Sequence, residues 1–380
     1  MQSLLQSYIN KISNKFRGVV HLRASGKKKG DVLISYITEP FTIKPGNNFP
    51  NLHTNYWECY EIARLFSIRG YSVDIINWDN YNFIPRKNYR VCIDTQNNLE
   101  HLVKFLPKDC GKVLHIVTSH GDFQNNAEIK RLEELKIRRG IILAPHRQMF
   151  PTRNLEYADF LEGFGNNFVH STYSNSNKPI FPIPISVVKT FDFPEKKDFD
   201  LARRNFLWFG GGGVVLKGLD LVLEAFVANP HLELHVCGPV VAEKDFFLAF
   251  RKELCETKNI HIHGRIDVAG KLFREIIDKC GALIYPAFSE GTSGAVVQVM
   301  HTGIIPITTP QSGIYEDAGV IIIENPTVES VSQSINSFSN LPPERIRDMA
   351  HSIWTYSRSK YTREEFSKKY SEFIDSILKP

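Results

Sequence analysis

Apolar and polar positions along the 380-residue chain alternate between short runs of strand length and longer stretches of helical spacing, in two successive blocks. In the first block, "DVLISYI" from Asp31 predicts a buried strand. "YWECYEIARLFSIRG" then carries apolar residues at helical spacing and stops at Gly70, and "YSVDIINW" is the next strand. "YRVCIDT", "KVLHIVT" and "GIILAP" predict further short strands, with the charged amphipathic helix "NAEIKRLEELKIRR" between the last two. "DFLEGFGNNFVHST" and "KPIFPIPI" predict the closing helix and strand of this half. A charged, proline-marked stretch up to Arg204 predicts a linker. The alternation then restarts with the strand "NFLWFG", the helix "LDLVLEAFVAN", the strand "LELHVCG", the helix "EKDFFLAFRKELCE" and the strand "IHIHG". "AGKLFREIIDKC" and "ALIYPA" continue it.

Strands alternating with helices predict parallel βαβ units, so the fold class is α/β, with two Rossmann-like doubly wound domains facing a central cleft. Ligands of such sheets sit outside the C-terminal ends of the strands. The boundaries read as an amphipathic, basic segment 1–30, a first domain 31–188, a linker 189–204, a second domain 205–355 and a C-terminal segment 356–380. The last segment carries Phe366, Tyr370, Phe373, Ile374 and Ile377 on one helical face, which predicts that it packs back on the first domain.

The formal net charge is +5 and the basic residues form no long block, which excludes a dedicated nucleic-acid binder and suits a protein that handles phosphates. The six cysteines are scattered, without C-x-x-C pairs or zinc-like spacing, which predicts buried free thiols and a reducing, cytoplasmic setting. No run reaches the length of a membrane span, and the N-terminus lacks a secretory apolar core. Leu5, Tyr8, Ile9, Ile12 and Phe16 share one helical face beside Lys11, Lys15 and Arg17, with Lys27, Lys28 and Lys29 downstream. Such a helix docks on its own domain or a second subunit; the other reading is peripheral contact with an anionic membrane through residues 1–29.

Two stretches carry chemistry. Gly210 to Gly213 follow a strand, and Lys217-Gly218 opens the next helix; glycine lets backbone N–H groups approach a phosphate. A P-loop would need Gly-Lys-Ser/Thr, and a dinucleotide fingerprint would need a third glycine where Val215 or Leu216 stands, so neither applies. The second stretch, "SEGTSGAVVQVMHTGIIPITT" from Ser289, sets the lone acid Glu290 beside a glycine-rich turn and the polar Gln298 inside an apolar element.

Taken together over residues 205–317, strand, glycine loop, Lys-Gly and helix, then strand, Pro-x-x-Ser-Glu-Gly and helix, resemble the C-terminal domain of retaining GT-B glycosyltransferases, in particular glycosyltransferase family 4. The resemblance implies transfer of a sugar from a nucleotide-diphosphate sugar to an acceptor hydroxyl, with retention of configuration and without a divalent metal or other cofactor. It implies that Lys217 meets the donor diphosphate together with the loop Gly211, Gly212 and Gly213. Glu290 would read the donor sugar, and Thr292, Ser293 and Gly294 would turn backbone N–H groups to sugar and phosphate. Gln298 would reach the ribose, and Arg265 and Ile266 would flank the base. His120, at the end of a strand before Asp122 and Asn125, resembles the family's histidine near the donor sugar, whereas His115 inside the strand reads as a core residue. His53, Thr54 and Asn55 follow the first strand, where phosphate and acceptor would meet.

Two positions depart from the family's pattern. Gln298 stands for a carboxylate, and Gly212 stands for an arginine, which removes a cation from the diphosphate clamp. Arg265 or an N-domain residue such as Arg147, next to His146, would have to replace it. The departures keep two other readings open: a silent nucleotide-sugar binder or partner subunit, and another GT-B reaction such as epimerisation. The acceptor class, whether glycan, lipid-linked or small molecule, is not written in these motifs.

Overall fold

The computed structural model describes residues 18–43, 49, 51 and 53–378, so the amphipathic reading of residues 1–17 lies outside the described residues. The first domain is a seven-stranded sheet in the order β1-β3-β2-β4-β5-β6-β7. Its strands are β1 (Val19–Leu22), β2 (Gly30–Tyr36), β3 (Tyr71–Asn77), β4 (Tyr89–Asp94), β5 (Gly111–Ile116), β6 (Phe160–Gly163) and β7 (Ile180–Pro182). Only β1 runs antiparallel, along the outer edge of β3. Residues 18–29 thus form an edge strand and its turn, not part of a separate basic segment, and the domain begins before Asp31.

Helix α1 (Asn55–Ile68) buries Cys59, Ile62, Ala63 and Phe66, the spacing of one helical face. Helix α2 (Gly121–Arg139) ends at Gly140, whose φ of 68° and N–H bond to Lys136 O close the last turn.

Two expectations for this half fail. "GIILAP" is not a strand; residues 141–153 run as a loop with Ile142 exposed, held because the Glu128 carboxylate accepts from the N–H groups of His146 and Arg147. "DFLEGFGNNFVHST" is β6 followed by a short helix, Asn167–Ser171, capped by Asn166. Gly163 decides the difference: its φ is 145°, and a Cβ there would lie 2.2 Å from Ile116 O, so only glycine lets β6 sit against β5.

The second domain is fully parallel, in the order β10-β9-β8-β11-β12-β13. It comprises β8 (Asn205–Phe209), helix α3 (Leu219–Ala228), β9 (Glu233–Cys237), β10 (Ile260–Gly264), β11 (Ala282–Tyr285), helix α4 (Gly294–Met300), β12 (Ile305–Thr308) and β13 (Ile321–Ile322). The chain order reverses between β8 and β11, so the crevice of this sheet opens between the loops that follow those two strands. The helix expected over residues 243–256 is broken at Phe250 into Lys244–Ala249 and Arg251–Glu256.

Helix α5 (Pro343–Lys360) runs past residue 355, so the break before the final helix falls at Tyr361–Thr362. Helix α6 (Arg363–Ile377) then returns to the first domain as its apolar stripe predicted. Phe366 meets Trp57 edge-on at 5.6 Å, Tyr370 Oη donates to Glu162 at 2.8 Å, and Ser367 Oγ donates to Glu61 at 2.7 Å. His115 is fully buried and bonded to the same Glu162, as a core residue should be.

The domains are also tied directly. Arg131 on α2 is buried against Asp220 on α3 at 2.7 Å and lies 4.3 Å above the Phe288 ring, while Arg138 bridges Asp220 and Glu224. Cys255 is exposed, unlike the other five thiols, which are free and buried. Among the described residues no helix is long and apolar enough to cross a membrane.

Candidate functional site

The crevice of the second sheet is a cavity of about 350 Å³ closed on its far side by the first domain. Lys217 reaches it because the chain turns sharply behind it. Gly218 has φ 72°, and a Cβ there would lie 2.5 Å from Pro286 O, so the turn into α3 requires glycine. The Lys217 N–H donates to Gly213 O at 3.0 Å and the Trp208 indole donates to Lys217 O at 3.3 Å, which fixes the stem.

The Lys217 ammonium pairs directly with Glu290 Oε1 and donates to Tyr285 Oη at 3.0 Å, and Tyr285 in turn donates to the same Glu290 oxygen at 2.7 Å. Burial lowers the Lys217 pKa, and Arg147 adds to that against the pull of Glu290. For Glu290 burial acts in the opposite sense, but Lys217 and Arg147 outweigh it and hold the carboxyl below its ordinary range. Burial, then Glu290, keeps the Tyr285 phenol protonated as a donor. Tyr285 carries no local sequence signal; only its place at the end of β11, five residues before Glu290, points to it.

The glycine loop is arranged differently from the sequence expectation. Gly211 and Gly212 line the cavity, but the N–H groups of Gly213 and Val214 donate to the Glu243 carboxylate at 2.5 and 3.2 Å. Gly213 therefore offers no amide to a phosphate. Its function is spatial: with φ 79°, a Cβ on Gly213 would lie 2.3 Å from Arg147 Cγ. The missing side chain admits Arg147 from the first domain, opposite Gly212, which stands where the resemblance expects a C-domain arginine. Arg147 lines the cavity and has no ion-pair partner among the described residues.

Glu290 is anchored from the opposite domain. Ser119, fully buried after β5, donates to Glu290 O through its N–H at 3.1 Å and its Oγ at 2.7 Å. The turn that follows is tightly packed: a Cβ on Gly313 would lie 1.4 Å from Gly291 O, and Thr292 Oγ1 donates to Gly313 O at 3.3 Å. Ser293 donates its N–H to Ser312 O at 3.0 Å, so that amide does not face sugar or phosphate as expected; Gly294 opens α4 and lines the cavity.

Gln298 is a further correction. It lines the crevice as expected, but its Nε2 donates to Lys189 O at 2.7 Å and its Oε1 accepts from Lys189 N at 3.1 Å, so the amide clasps the linker instead of presenting a free group to a ribose. A carboxylate could not make the first of these bonds, which explains the amide at this position.

At the other end, Arg265 and Ile266 line the cavity with Pro239 and Val268. From the first domain, His53 and Thr54 reach it; Thr54 Oγ1 is bonded to the buried Glu58. A second cavity, about 520 Å³, shares His53, Arg147, Glu290 and Gly294 with the first and is also lined by Asn55 and Thr292. His120 joins neither. It caps α2 by accepting from Asp122 N at 3.3 Å, stacks edge-on against Tyr173, and lines a separate hollow with Asn125 and Met149. No group of three or more His, Cys, Asp or Glu able to hold a metal ion occurs among the described residues.

With this geometry in view, residues 195–354 match the family model for glycosyl transferases group 1, which spans the second domain. The described residues have the GT-B fold. It is similar to sucrose-phosphate synthase from Thermosynechococcus elongatus at 11% identity and TM-score 0.64, over 92% of this chain and 99% of that one. It is similar to Staphylococcus aureus TarM, solved with UDP, fondaparinux and α-GlcNAc-glycerol, at 13% identity and TM-score 0.52, over 76% of this chain and 55% of that one. The pneumococcal O-GlcNAc transferase GtfA, solved with UDP and GlcNAc, matches at 12% identity and TM-score 0.51, over 76% and 57%. The chain thus spans little more than half the length of these two proteins. No curated protein sequence matches it.

Proposed function

We propose that the protein is a glycosyltransferase that takes a sugar from a nucleoside-diphosphate sugar bound in the 350 Å³ crevice and delivers it to an acceptor hydroxyl in the adjoining cavity. The observation that carries this reading is the charge arrangement at the crevice. Lys217, Arg147 and Arg265 meet a single carboxylate, Glu290, which suits a dianionic diphosphate beside a sugar whose hydroxyls need an acceptor. Lys217 and Arg147 stabilise the departing diphosphate, and Arg147 supplies the cation that Gly212 lacks, which argues against a silent binder. Glu290 borders both cavities, so a sugar held by it stands at the point of transfer.

Retention of configuration and independence from metal belong to the same reading. Glu290 is ion-paired and of low pKa, so it is a poor base for activating an acceptor from the opposite face, and in this reading the leaving phosphate takes the proton. UDP in the two structurally similar proteins makes uridine the first base to test.

A thermal-shift screen against UDP, GDP, ADP, CMP and dTDP, with and without magnesium, tests the assignment. A ligand at 100 times its Kd stabilises by about 2.7 kcal/mol. One nucleotide shifting the native protein without metal, and not Lys217→Ala, supports it. No shift with any nucleotide overturns it. The anomer formed, read by NMR, separates retention from inversion, and inversion would make His53, shared by both cavities, the base to examine.

A further inference from the structure

The 520 Å³ cavity has a chemistry of its own. It opens at the point where the first sheet reverses its strand order, between the loops after β2 and β4, the place where doubly wound sheets bind small molecules. Three aromatic side chains on its walls keep much of their surface open: Trp78 is 38% exposed, Tyr81 46% and Phe150 79%. A soluble chain gains nothing in stability from leaving such rings uncovered. The same walls carry the uncharged amides Gln96, Asn97 and Gln148. Asn97 donates to Tyr81 Oη at 3.3 Å, and Gln148 donates to Glu128 at 2.8 Å, so ring and amides are held in place.

The charges on these walls are few and are directed away from the cavity's aromatic faces or paired. His146 pairs with Asp245 at 3.1 Å, Glu290 with Lys217, and Arg147 turns toward the glycine loop across the donor crevice. Flat apolar faces alternating with neutral donors and acceptors match the two faces of a pyranose, whose C–H groups stack on rings while its hydroxyls bond to amides. They do not match a phosphate headgroup, which needs several cations.

We infer, building on the proposed transfer reaction, that the acceptor is an uncharged sugar residue, free or at the end of a glycan, stacked on Trp78 and Phe150 with its reacting hydroxyl turned toward Glu290. The specificity of the enzyme for its acceptor then lies in the loops after β3 and β4 and in the loop 141–153.

Saturation-transfer NMR on the UDP-saturated protein tests this. The probes are the methyl glycosides of glucose, galactose, mannose, rhamnose and N-acetylglucosamine, with maltose, cellobiose and N,N′-diacetylchitobiose, and with glycerol 1-phosphate as the anionic comparison. The expected result is saturation of ring protons in at least one neutral sugar, none in glycerol 1-phosphate, and affinity about fivefold weaker in Trp78→Ala and in Phe150→Ala. The UDP thermal shift should be unchanged in both variants, which separates failure of this inference from failure of the donor site. Signal from glycerol 1-phosphate alone, from no neutral probe, or a neutral signal undiminished in both variants would overturn it.

Discussion

Ser119, in the first domain, holds the main-chain carbonyl of Glu290, in the second, by two hydrogen bonds of 3.1 and 2.7 Å. The Glu290 carboxylate is thus set by a residue of the first domain, and its position depends on the two halves being together. Ser119→Ala removes the shorter bond and leaves a buried carbonyl with one partner, at a cost of about 1 kcal/mol. We expect kcat to fall roughly tenfold while UDP affinity, measured calorimetrically, holds. An unchanged kcat would show that this anchor does not limit turnover.

Lys217 and Glu290 form a pair with little access to water. Lys217→Met strips the Glu290 carboxylate of its direct counter-charge and should destabilise by about 3 kcal/mol in urea unfolding. The double variant Lys217→Met/Glu290→Gln should recover much of that loss. A double variant no more stable than the single one would mean that the lysine stem, not the charge pair, carries the effect.

Gly213 and Arg147 compete for one space. Gly213→Ala must displace the arginine and also strain a φ of 79°. It should weaken UDP binding as much as Arg147→Ala does, by roughly tenfold, and the two together should be far less than additive. Additive losses in titration calorimetry would show that the glycine contributes independently of the arginine.

Gln298→Glu restores the residue that the family resemblance expects, yet here it should do harm. The carboxylate cannot donate to Lys189 O, and two acceptors would then face each other at a buried site, costing about 1–3 kcal/mol. A variant of native melting temperature with tighter UDP binding would show instead that the side chain is free to serve the ribose.

Asp94 gives a pH signature. Burial pushes its carboxyl up from 3.8 to about 6, although Asn98 N, Leu99 N and Asn154 Nδ2 all donate to it. A pKa raised on folding contributes stability that is whole below pH 4 and is lost as pH rises to about 6, a change of roughly 3 kcal/mol. The stability of Asp94→Asn relative to the native protein should therefore rise between pH 4 and 6 and level off above. A difference that is flat with pH would place the carboxyl at its ordinary value.

Most strands and helices were legible because parallel strands buried on both faces read as unbroken apolar runs, and helices carried the wider period. The loop 141–153 was misread because "GIILAP" has the composition of a strand, while what fixes it as a loop is Glu128, a residue on a neighbouring helix. Lys217 and Glu290 were legible as motif residues. Arg147 was visible only as one of several cations able to replace the missing one, since its place depends on the absence of a side chain at Gly213, far along the chain. Gln298 and Ser293 line the crevice as expected, but the Gln298 amide and the Ser293 N–H are engaged by Lys189 and Ser312, partners that no local pattern announces. His120 sits where its strand predicts, but the cap it forms on α2 turns it into a different hollow.

Helix α6 completes the first domain although it follows all the strands of the second. During vectorial synthesis the first half must therefore leave the ribosome with the docking surface for Phe366 and Tyr370 uncovered, and with Glu162 lacking the phenol that satisfies it. The second domain, by contrast, has all its strands in hand before α6 emerges. Translation of this protein thus produces its second domain as a finished unit before its first, and a ribosome stalled or terminated near residue 360 releases a chain able to fold the former while exposing an apolar seam on the latter.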